Sequence, residues 1–353
     1  MSKVKITGVG SYIPEVVKKN SDFMDNEFYN EDRTAFTHDN EVIIEKFKAI
    51  TGIEERRYVT DEMSVSDIAY LSSEKAIEDA GIDKNDLDYI IIAHNFGDVR
   101  SDRQQTDILP SIGSRVKNKL KITNPNCVAY DMVFGCPGWI ESCIQANAFI
   151  RSGIAKKCLV VGSETLSRVV DPHDRDSMIY SDGAGATILE ASEDEGGILA
   201  HQSATYAQDE AFYIYFGESF LPERETNNGY IKMHGRKIYN FALSHVPQAM
   251  SECLAQTDKT IDDVKKIFIH QANEKMDEAI IQRFYKMNDR KAPKTIMPMS
   301  IKTLGNSSVA TIPTLYDLFL QGEFDHEELQ KGDVIMFASV GAGMNINAIV
   351  YQI

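Results

Sequence analysis

Residues 86–92, Asp-Leu-Asp-Tyr-Ile-Ile-Ile, are matched 177 positions further along the chain by residues 263–269, Asp-Val-Lys-Lys-Ile-Phe-Ile. Each run follows a segment with helical periodicity and a short acidic loop. Each also ends in the apolar, β-branched pattern of a strand that is covered on both faces. The match indicates an internal duplication, with one copy of the unit in each half of the chain.

A second match comes further along each copy. Residues 135–136, Gly-Cys, are followed by an apolar run with helical spacing and then by the strand-like residues 158–162. Residues 305–306, Gly-Asn, are followed by a helical run and the strand-like residues 334–338. Two matches in the same order predict an α/β chain built from two duplicated halves.

Composition limits the class of protein. The chain has 353 residues, more than one hydrophobic core usually holds, so we predict two units, residues 1–195 and residues 196–353. The formal net charge of −16 disfavours nucleic acid as a partner, and an acidic carrier protein would need a local basic patch.

Cysteine usage and hydropathy indicate the compartment. The five cysteines contain no C-x-x-C pair, which argues against a disulfide framework or a zinc site, and no metal is predicted. No apolar run reaches the length of about 18 residues that spans a membrane, and no signal-peptide pattern opens the chain. We therefore predict a cytoplasmic protein without a membrane span.

Cys136 is the main candidate for chemistry. Pro137 is predicted to occupy the first position of the helix that follows, because proline lacks an N–H and has a helical φ angle. At a helix N-terminus the unpaired N–H groups and the helix dipole are expected to lower the pKa of the Cys136 thiol and make it nucleophilic. The alternative is a buried structural cysteine, the commoner state of a free cysteine.

The duplication predicts which side chains meet Cys136. Two halves related by a pseudo-two-fold axis bring equivalent positions together, and Asn306 is equivalent to Cys136. His270 comes directly after the strand-like run 263–269, and ligands of open α/β sheets collect beyond the carboxyl ends of strands. A cysteine, a histidine and an asparagine are therefore predicted at one junction. His94 is interpreted as a structural residue.

These segments resemble the ketoacyl-ACP synthase III group of the thiolase-like superfamily over nearly the whole chain. The resemblance implies a thiolase-like αβαβα layered fold, a homodimer, and a catalytic triad of Cys136, His270 and Asn306. It rests on specific motifs, which are residues 51–57 (Thr-Gly-Ile-Glu-Glu-Arg-Arg), 160–164 (Val-Val-Gly-Ser-Glu), 171–175 (Asp-Pro-His-Asp-Arg), 181–186 (Ser-Asp-Gly-Ala-Gly-Ala), 270–273 (His-Gln-Ala-Asn) and 304–308 (Leu-Gly-Asn-Ser-Ser).

The resemblance implies a reaction as well as a fold. Cys136 would accept an acyl group from a thioester, and a malonyl- or β-ketoacyl-ACP thioester would lose CO₂ to give an enolate that attacks it. His270 and Asn306 would stabilise the enolate oxygen, and the backbone N–H groups of Cys136 and Ala342 would form the oxyanion hole of the acyl-enzyme. The implied partners are acyl carrier protein and thioester substrates on this carrier or on coenzyme A, with no other cofactor.

Some positions depart from the family pattern. Lys46 and Ile50 stand where relatives carry a tryptophan and an arginine near coenzyme A, whereas Arg175 keeps its family identity. Leu109 aligns with a phenylalanine that a partner subunit inserts into the acyl pocket, and Lys275 replaces an arginine that docks the carrier protein. The predicted substrate-binding residues are therefore Arg175, Leu109, Met233 and Lys275.

Two extensions and three functions stay open. Residues 20–45 and residues 208–228 either decorate the surface or modify the acyl entrance, and the aromatic residues Phe212, Tyr213, Tyr215 and Phe216 belong to the core or to an acyl tunnel. Decarboxylative condensation, in fatty-acid initiation or in specialised lipid or polyketide synthesis, is the leading function. The alternatives are an acyltransferase that moves an acyl group to an alcohol or amine without forming a C–C bond, and a noncatalytic subunit.

Overall fold

The computed structural model describes residues 3–223, 228–324 and 328–353. Its strands are β1 (Lys3–Tyr12), β2 (Val16–Lys19), β3 (Glu55–Tyr58), β4 (Tyr89–Ala93), β5 (Asp98–Arg100), β6 (Arg103–Asp107), β7 (Val128–Met132), β8 (Lys157–Thr165), β9 (Asp182–Ser192), β10 (Gly197–Thr205), β11 (Ile214–Glu218), β12 (Gly229–Met233), β13 (Val264–Ile269), β14 (Val334–Gly341) and β15 (Asn345–Gln352). Its α-helices are α1 (Asn40–Thr51), α2 (Val65–Ala80), α3 (Ile112–Lys119), α4 (Gly138–Arg151), α5 (Gly235–Leu254), α6 (Glu274–Met287), α7 (Ile301–Leu304) and α8 (Thr311–Leu320).

Two large sheets repeat the same order of strands. The first runs β1-β9-β8-β4-β7, and the second runs β10-β15-β14-β13. In the first sheet β4 and β8 are parallel, while β8–β9 and β9–β1 are antiparallel. In the second sheet β13 and β14 are parallel, while β14–β15 and β15–β10 are antiparallel. The repeated order and polarity agree with the duplication predicted from the sequence.

The helices form three layers around these sheets. Helices α2 and α3 cover the outer face of the first sheet, and α5 and α6 cover the outer face of the second. Helices α4 and α8 lie between the two sheets, where their apolar residues pack together with residues from both sheets, among them Trp139, Ile144, Val160, Phe268, Leu315 and Phe337. The result is an α-β-α-β-α arrangement. The division of the chain into separate domains after residue 195 stays a prediction.

The sequence explains why these elements form where they do. Strand β4 is buried along most of its length because helices cover both of its faces, and its residues are accordingly Tyr-Ile-Ile-Ile-Ala. Helix α2 begins with a capping box between Ser64 and Asp67 and ends at Gly81, whose left-handed conformation closes the helix. Within the three described ranges, no helix has the length and apolar character to cross a membrane.

Candidate active site

One cavity brings the three predicted catalytic residues together. It has a volume of about 1000 Å³, and Cys136, His270 and Asn306 all line it. Arg175 and Met233, which the resemblance assigned to substrate binding, and Ala342, which it assigned to the oxyanion hole, line the same cavity. Two other predicted substrate residues lie elsewhere, since Leu109 is 87% exposed and Lys275 is an exposed residue of the first turn of α6.

Cys136 lies between β7 and α4, beside the N-terminus of the buried helix. Pro137 is the residue that precedes the first helical position of α4 rather than the first helical residue itself, which corrects the prediction by one position. The predicted lowering of the pKa of the Cys136 thiol is wrong. Burial of the sulfur raises this pKa to about 11, because a charged sulfur would lose its hydration there. The charge of Glu164 adds to the increase, and a hydrogen bond from Ser308 opposes it only in part.

The end of β14 and the loop that follows it pack directly against the Cys136 loop. A β-carbon on Gly341 would lie 2.5 Å from the backbone nitrogen of Cys136. Gly135 adopts a φ of +66°, and a β-carbon there would lie 2.8 Å from the backbone nitrogen of Ala342. Only glycine allows so close an approach at these two positions. The backbone N–H groups of Cys136 and Ala342 therefore belong to two loops in direct contact.

Asn306 is held by its backbone and by its side-chain oxygen. Its backbone nitrogen donates to the carbonyl of Ile179 over 3.0 Å, and its carbonyl accepts from the nitrogen of Ser181 over 2.8 Å. The side-chain Oδ1 accepts a hydrogen bond of 2.8 Å from the backbone nitrogen of Ser308. This bond fixes the orientation of the amide, so the Nδ2 group is the one that can donate into the cavity.

His270 is a neutral imidazole in the cavity wall. It follows β13 directly, and its backbone nitrogen donates to the carbonyl of Ala338 over 2.9 Å. Only 4% of the residue is exposed, and this burial lowers the pKa of the imidazole to about 4. Gln271 anchors the loop, because its side-chain oxygen accepts from the backbone nitrogens of Ser300 and Ile301. A neutral ring keeps one N–H donor, which can serve a ligand oxygen.

Parts of both extensions form the cavity wall. Of the two alternatives for the extensions, decoration of the surface is therefore wrong for these parts. Residues 34–38 of the first extension and residues 214–216 of the second line the cavity. The guanidinium of Arg175 lies 5.0 Å from the ring centre of Phe36, which pairs a cation with an aromatic ring of the extension. Phe212, in contrast, is 78% exposed, and residues 224–227 of the second extension lie outside the described residues.

Ser308 is a cavity residue to which the sequence assigned no role. Its hydroxyl lies 3.2 Å from the sulfur of Cys136, although the two residues are 172 positions apart. Ser308 belongs to the 304–308 motif, two positions after Asn306, but this spacing does not predict a contact between Ser308 and Cys136. Only the folded loop shows it.

Other polar residues have structural surroundings. His94 is buried, accepts a hydrogen bond from the backbone nitrogen of Gly97 and has its Nε2 3.1 Å from Oδ2 of Asp131, as expected for a structural histidine. Cys127, Cys143, Cys158 and Cys253 are buried free thiols. Among the residues that the structure describes, no group of three or more histidine, cysteine or acidic side chains is arranged to hold a metal ion.

Comparisons with known proteins identify the family. Residues 130–207 match the family described as 3-oxoacyl-[acyl-carrier-protein (ACP)] synthase III, and residues 254–353 match its C-terminal domain. The chain is 32% identical over 350 residues to β-ketoacyl-[acyl-carrier-protein] synthase III of Staphylococcus saprophyticus, covering 99% of this chain and 98% of that protein. The chain belongs to the 3-oxoacyl-ACP synthase III family.

Solved structures of this family and of a ketosynthase from a polyketide pathway have the same fold. The crystal structure of 3-oxoacyl-[acyl-carrier-protein] synthase III from Aquifex aeolicus superposes with a TM-score of 0.81 at 28% identity and covers 99% of this chain and 100% of that chain. The priming β-ketosynthase of the R1128 polyketide pathway gives a TM-score of 0.82 at 20% identity and covers 100% of this chain and 96% of that one. The predicted family, the thiolase-like fold and the acyltransferase class are thereby confirmed.

Proposed function

We propose that this synthase III family member joins two thioesters by decarboxylative Claisen condensation, with Cys136 as the acyl-carrying nucleophile. The observation that carries the proposal is that Cys136, His270 and Asn306 line one cavity. A nucleophile that holds an acyl group and two donors that can stabilise an enolate are the groups that this reaction needs in one place.

In the first half-reaction the sulfur of Cys136 attacks the carbonyl carbon of an acyl thioester. A sulfur–carbon bond to Cys136 forms, the carbon–sulfur bond to the carrier breaks, and the departing carrier thiol takes the proton that Cys136 loses. The tetrahedral intermediate places negative charge on oxygen. The backbone N–H groups of Cys136 and Ala342, which belong to contacting loops, supply the donors for this charge.

In the second half-reaction a malonyl- or β-ketoacyl-type thioester is activated. Its bond to the carboxylate carbon breaks, CO₂ leaves, and the electron pair forms an enolate whose charge lies on the thioester oxygen. His270, neutral because it is buried, and Asn306, oriented through its Oδ1, donate to this oxygen. The enolate carbon then bonds to the acyl carbon, and Cys136 leaves as a thiolate. Simple acyl transfer to an alcohol or amine needs no such pair of donors.

The cavity also indicates how the acyl chain is held. Tyr180 is buried beside Cys136, and its hydroxyl contacts the sulfur of Met233 at 3.7 Å. Phe96, Leu166, Phe216 and Ile231 line the cavity as well, so this part of the wall is apolar and suits a hydrocarbon chain. Arg175 lies at the part of the wall formed by the first extension, and we assign it to binding the part of the thioester substrate that belongs to the carrier. The proposed chemistry uses no cofactor beyond the thioester carriers.

The proposed partners are acyl carrier protein and a second copy of the chain. Lys275 is exposed on the first turn of α6, where it can meet an acidic carrier. Strand β7 lies at the edge of the first sheet, and Val128, Val133 and Leu109 are exposed apolar side chains of the first half. An apolar edge strand favours pairing with another copy. All five cysteines are free thiols, which supports a reducing, cytoplasmic compartment.

The proposal is tested with a panel of acyl-CoA and acyl-ACP donors combined with malonyl- and β-ketoacyl-ACP. Intact-protein mass spectrometry shows which donor acylates the protein, and CO₂ release with product mass shows whether a C–C bond forms. We expect an adduct on the wild type, no adduct on Cys136→Ala, and CO₂ release that depends on Cys136. Cys143→Ala is the matched control, since Cys143 is a buried thiol of α4. Transfer to an alcohol or amine without CO₂ release would support the acyltransferase alternative instead.

A further inference from the structure

A chain of hydrogen bonds runs from a buried carboxyl group to the sulfur of Cys136. Oε1 of Glu164 accepts from the Nδ2 of Asn95 over 2.9 Å and also from the backbone nitrogen of Asn95. The same Nδ2 group donates to the hydroxyl of Ser308 over 3.2 Å. The Ser308 hydroxyl in turn lies 3.2 Å from the Cys136 sulfur. These contacts join residues of four separate segments.

The donor and acceptor capacities of these groups give the chain a direction. An amide NH₂ group can only donate, so both hydrogen bonds of the Asn95 Nδ2 group run outward, to Glu164 and to Ser308. The Ser308 oxygen accepts from Asn95 and has a single hydrogen of its own to donate. That hydrogen points at the Cys136 sulfur. Glu164 sets this direction, because its bond to Nδ2 turns the NH₂ group of the amide towards the carboxyl group, while its bond to the backbone nitrogen of Asn95 holds the residue in place.

Ser308 adopts a conformation that costs energy. Its φ is +54°, in the left-handed region that residues other than glycine rarely occupy. In this conformation its backbone nitrogen donates to Oδ1 of Asn306 over 2.8 Å while its hydroxyl reaches Cys136. One residue therefore orients the Asn306 amide and contacts the nucleophile. Strained residues of this kind cluster at functional sites.

We propose that Ser308 is a further catalytic residue, which donates a hydrogen bond to the sulfur of Cys136 and stabilises its thiolate form, and that Asn95 and Glu164 are positioning residues that fix the direction of this bond. The inference rests on the proposed function in one respect, the assignment of Cys136 as the nucleophile. It extends that function by naming the group that offsets the burial of the sulfur.

The electrostatic surroundings of Cys136 make such a donor necessary. Burial raises the pKa of the thiol to about 11. The titratable side chains facing the sulfur from the packed elements are Glu164 at the end of β8, Tyr180 before β9 and His270 after β13. His270 is neutral, Tyr180 carries no positive charge in either protonation state, and the charge of Glu164 raises the pKa of Cys136 further, so none of the three favours the thiolate. The hydrogen bond from the Ser308 hydroxyl does favour it, because a bond donated to the charged form lowers the pKa of the thiol.

The test measures the ionisation of Cys136 in two ways. Ultraviolet difference absorbance against Cys136→Ala titrates the thiolate directly, and the rate of alkylation by iodoacetamide, located by peptide mass, reports the thiolate fraction. The variants are Ser308→Ala, Ser308→Gly and Asn95→Ala, with Asn95→Ala also placed in the Ser308→Ala background. Glycine accepts the φ of +54° without strain, so Ser308→Gly keeps the test valid if the alanine variant is unstable. Ser307→Ala is the matched control, because Ser307 is a buried neighbour whose hydroxyl faces Thr311.

We expect both Ser308 variants to raise the absorbance midpoint by about one pH unit and to slow alkylation below the midpoint about tenfold. Asn95→Ala should raise the midpoint by less in the wild-type background and should cause no further shift in the Ser308→Ala background. Ser307→Ala should leave the midpoint unchanged. An unchanged absorbance midpoint in folded Ser308 variants, with or without slower alkylation, would overturn the proposal. So would an Asn95→Ala shift of the same size in both backgrounds.

These outcomes are independent of the condensation reaction. A protein that no thioester acylates would contradict the proposed function, yet the titration would still show whether Ser308 governs the Cys136 sulfur. Conversely, full condensing activity together with an unchanged titration in the Ser308 variants would refute the proposed role of Ser308 and leave the role of Cys136 as nucleophile intact.

Discussion

The neutrality of His270 makes a prediction that can be calculated from the structure. Burial lowers the pKa of this imidazole from 6.5 to about 4, and burial is the one cause of the shift, so no charged neighbour complicates it. As pH falls below 6.5 the unfolded chain binds a proton at His270 before the folded chain does. Protonation therefore favours unfolding between pH 6.5 and 4, and stability is lost as the pH decreases. Replacing His270 by glutamine removes this contribution.

The magnitude follows from the two pKa values. At pH 8 the imidazole is neutral in both states and its titration contributes almost nothing. At pH 5 the unfolded imidazole is almost fully protonated and the folded one is still mostly neutral, which costs about 2 kcal/mol of unfolding free energy. The wild type should therefore lose about 2 kcal/mol more than His270→Gln between pH 8 and pH 5.

Urea unfolding at pH 8, 7, 6 and 5, followed by circular dichroism, measures this difference. Other buried groups with shifted pKa values, such as Glu164 and Asp182, are common to both proteins and cancel in the comparison. Parallel pH dependences for wild type and His270→Gln would refute the reasoning, because His270 would then titrate alike in folded and unfolded chains.

Three further predictions follow from the site. Asn306→Asp keeps an acceptor for the Ser308 N–H but loses the Nδ2 donor. CO₂ release, measured by stopped flow, should therefore fall about 10²–10³-fold, while acylation of Cys136, followed by intact mass, should change less than about threefold. Equal losses in both steps would contradict the role of Asn306 in stabilising the enolate. Met233→Trp should shorten the longest acyl chain that reaches Cys136 in the mass assay, whereas Met287→Trp, at a 44% exposed position, should not. Leu109→Asp should shift light scattering towards the monomer mass if this 87% exposed side chain meets a partner, and an unchanged dimer would exclude it from the interface.

Much of the fold could be predicted from the sequence, because the central strands are apolar runs and the same pattern of residues is still recognisable in both copies of the duplicated unit. Strands β4 and β13 lie where the two matched runs placed them, and their neighbours repeat the same order in both sheets. The symmetry argument also placed Cys136, His270 and Asn306 at one cavity, because positions at strand and helix ends are fixed by the elements themselves.

The rest depends on contacts between distant segments. The pKa of Cys136 rises instead of falling, because the sulfur loses hydration to the segments that pack around it, and those segments are distant in the chain. The contact of Ser308 with Cys136 and that of Asn95 with Glu164 join residues far apart in the chain, and no local spacing marks them. The contact between Phe36 and Arg175 likewise depends on the path of the first extension, and the internal duplication does not predict this path.

The central claim is that Cys136 carries the acyl group that becomes part of the new C–C bond. The direct measurement is a chase experiment, in which Cys136 is loaded with an isotope-labelled acyl group, the acyl-enzyme is isolated, and malonyl-ACP is added. We predict that the label leaves the Cys136 peptide, that one CO₂ is released for each label lost, and that the label appears in a 3-oxoacyl-ACP lengthened by the acetyl unit. Label that stays on Cys136 while product forms, or that leaves without CO₂ release, would contradict the account.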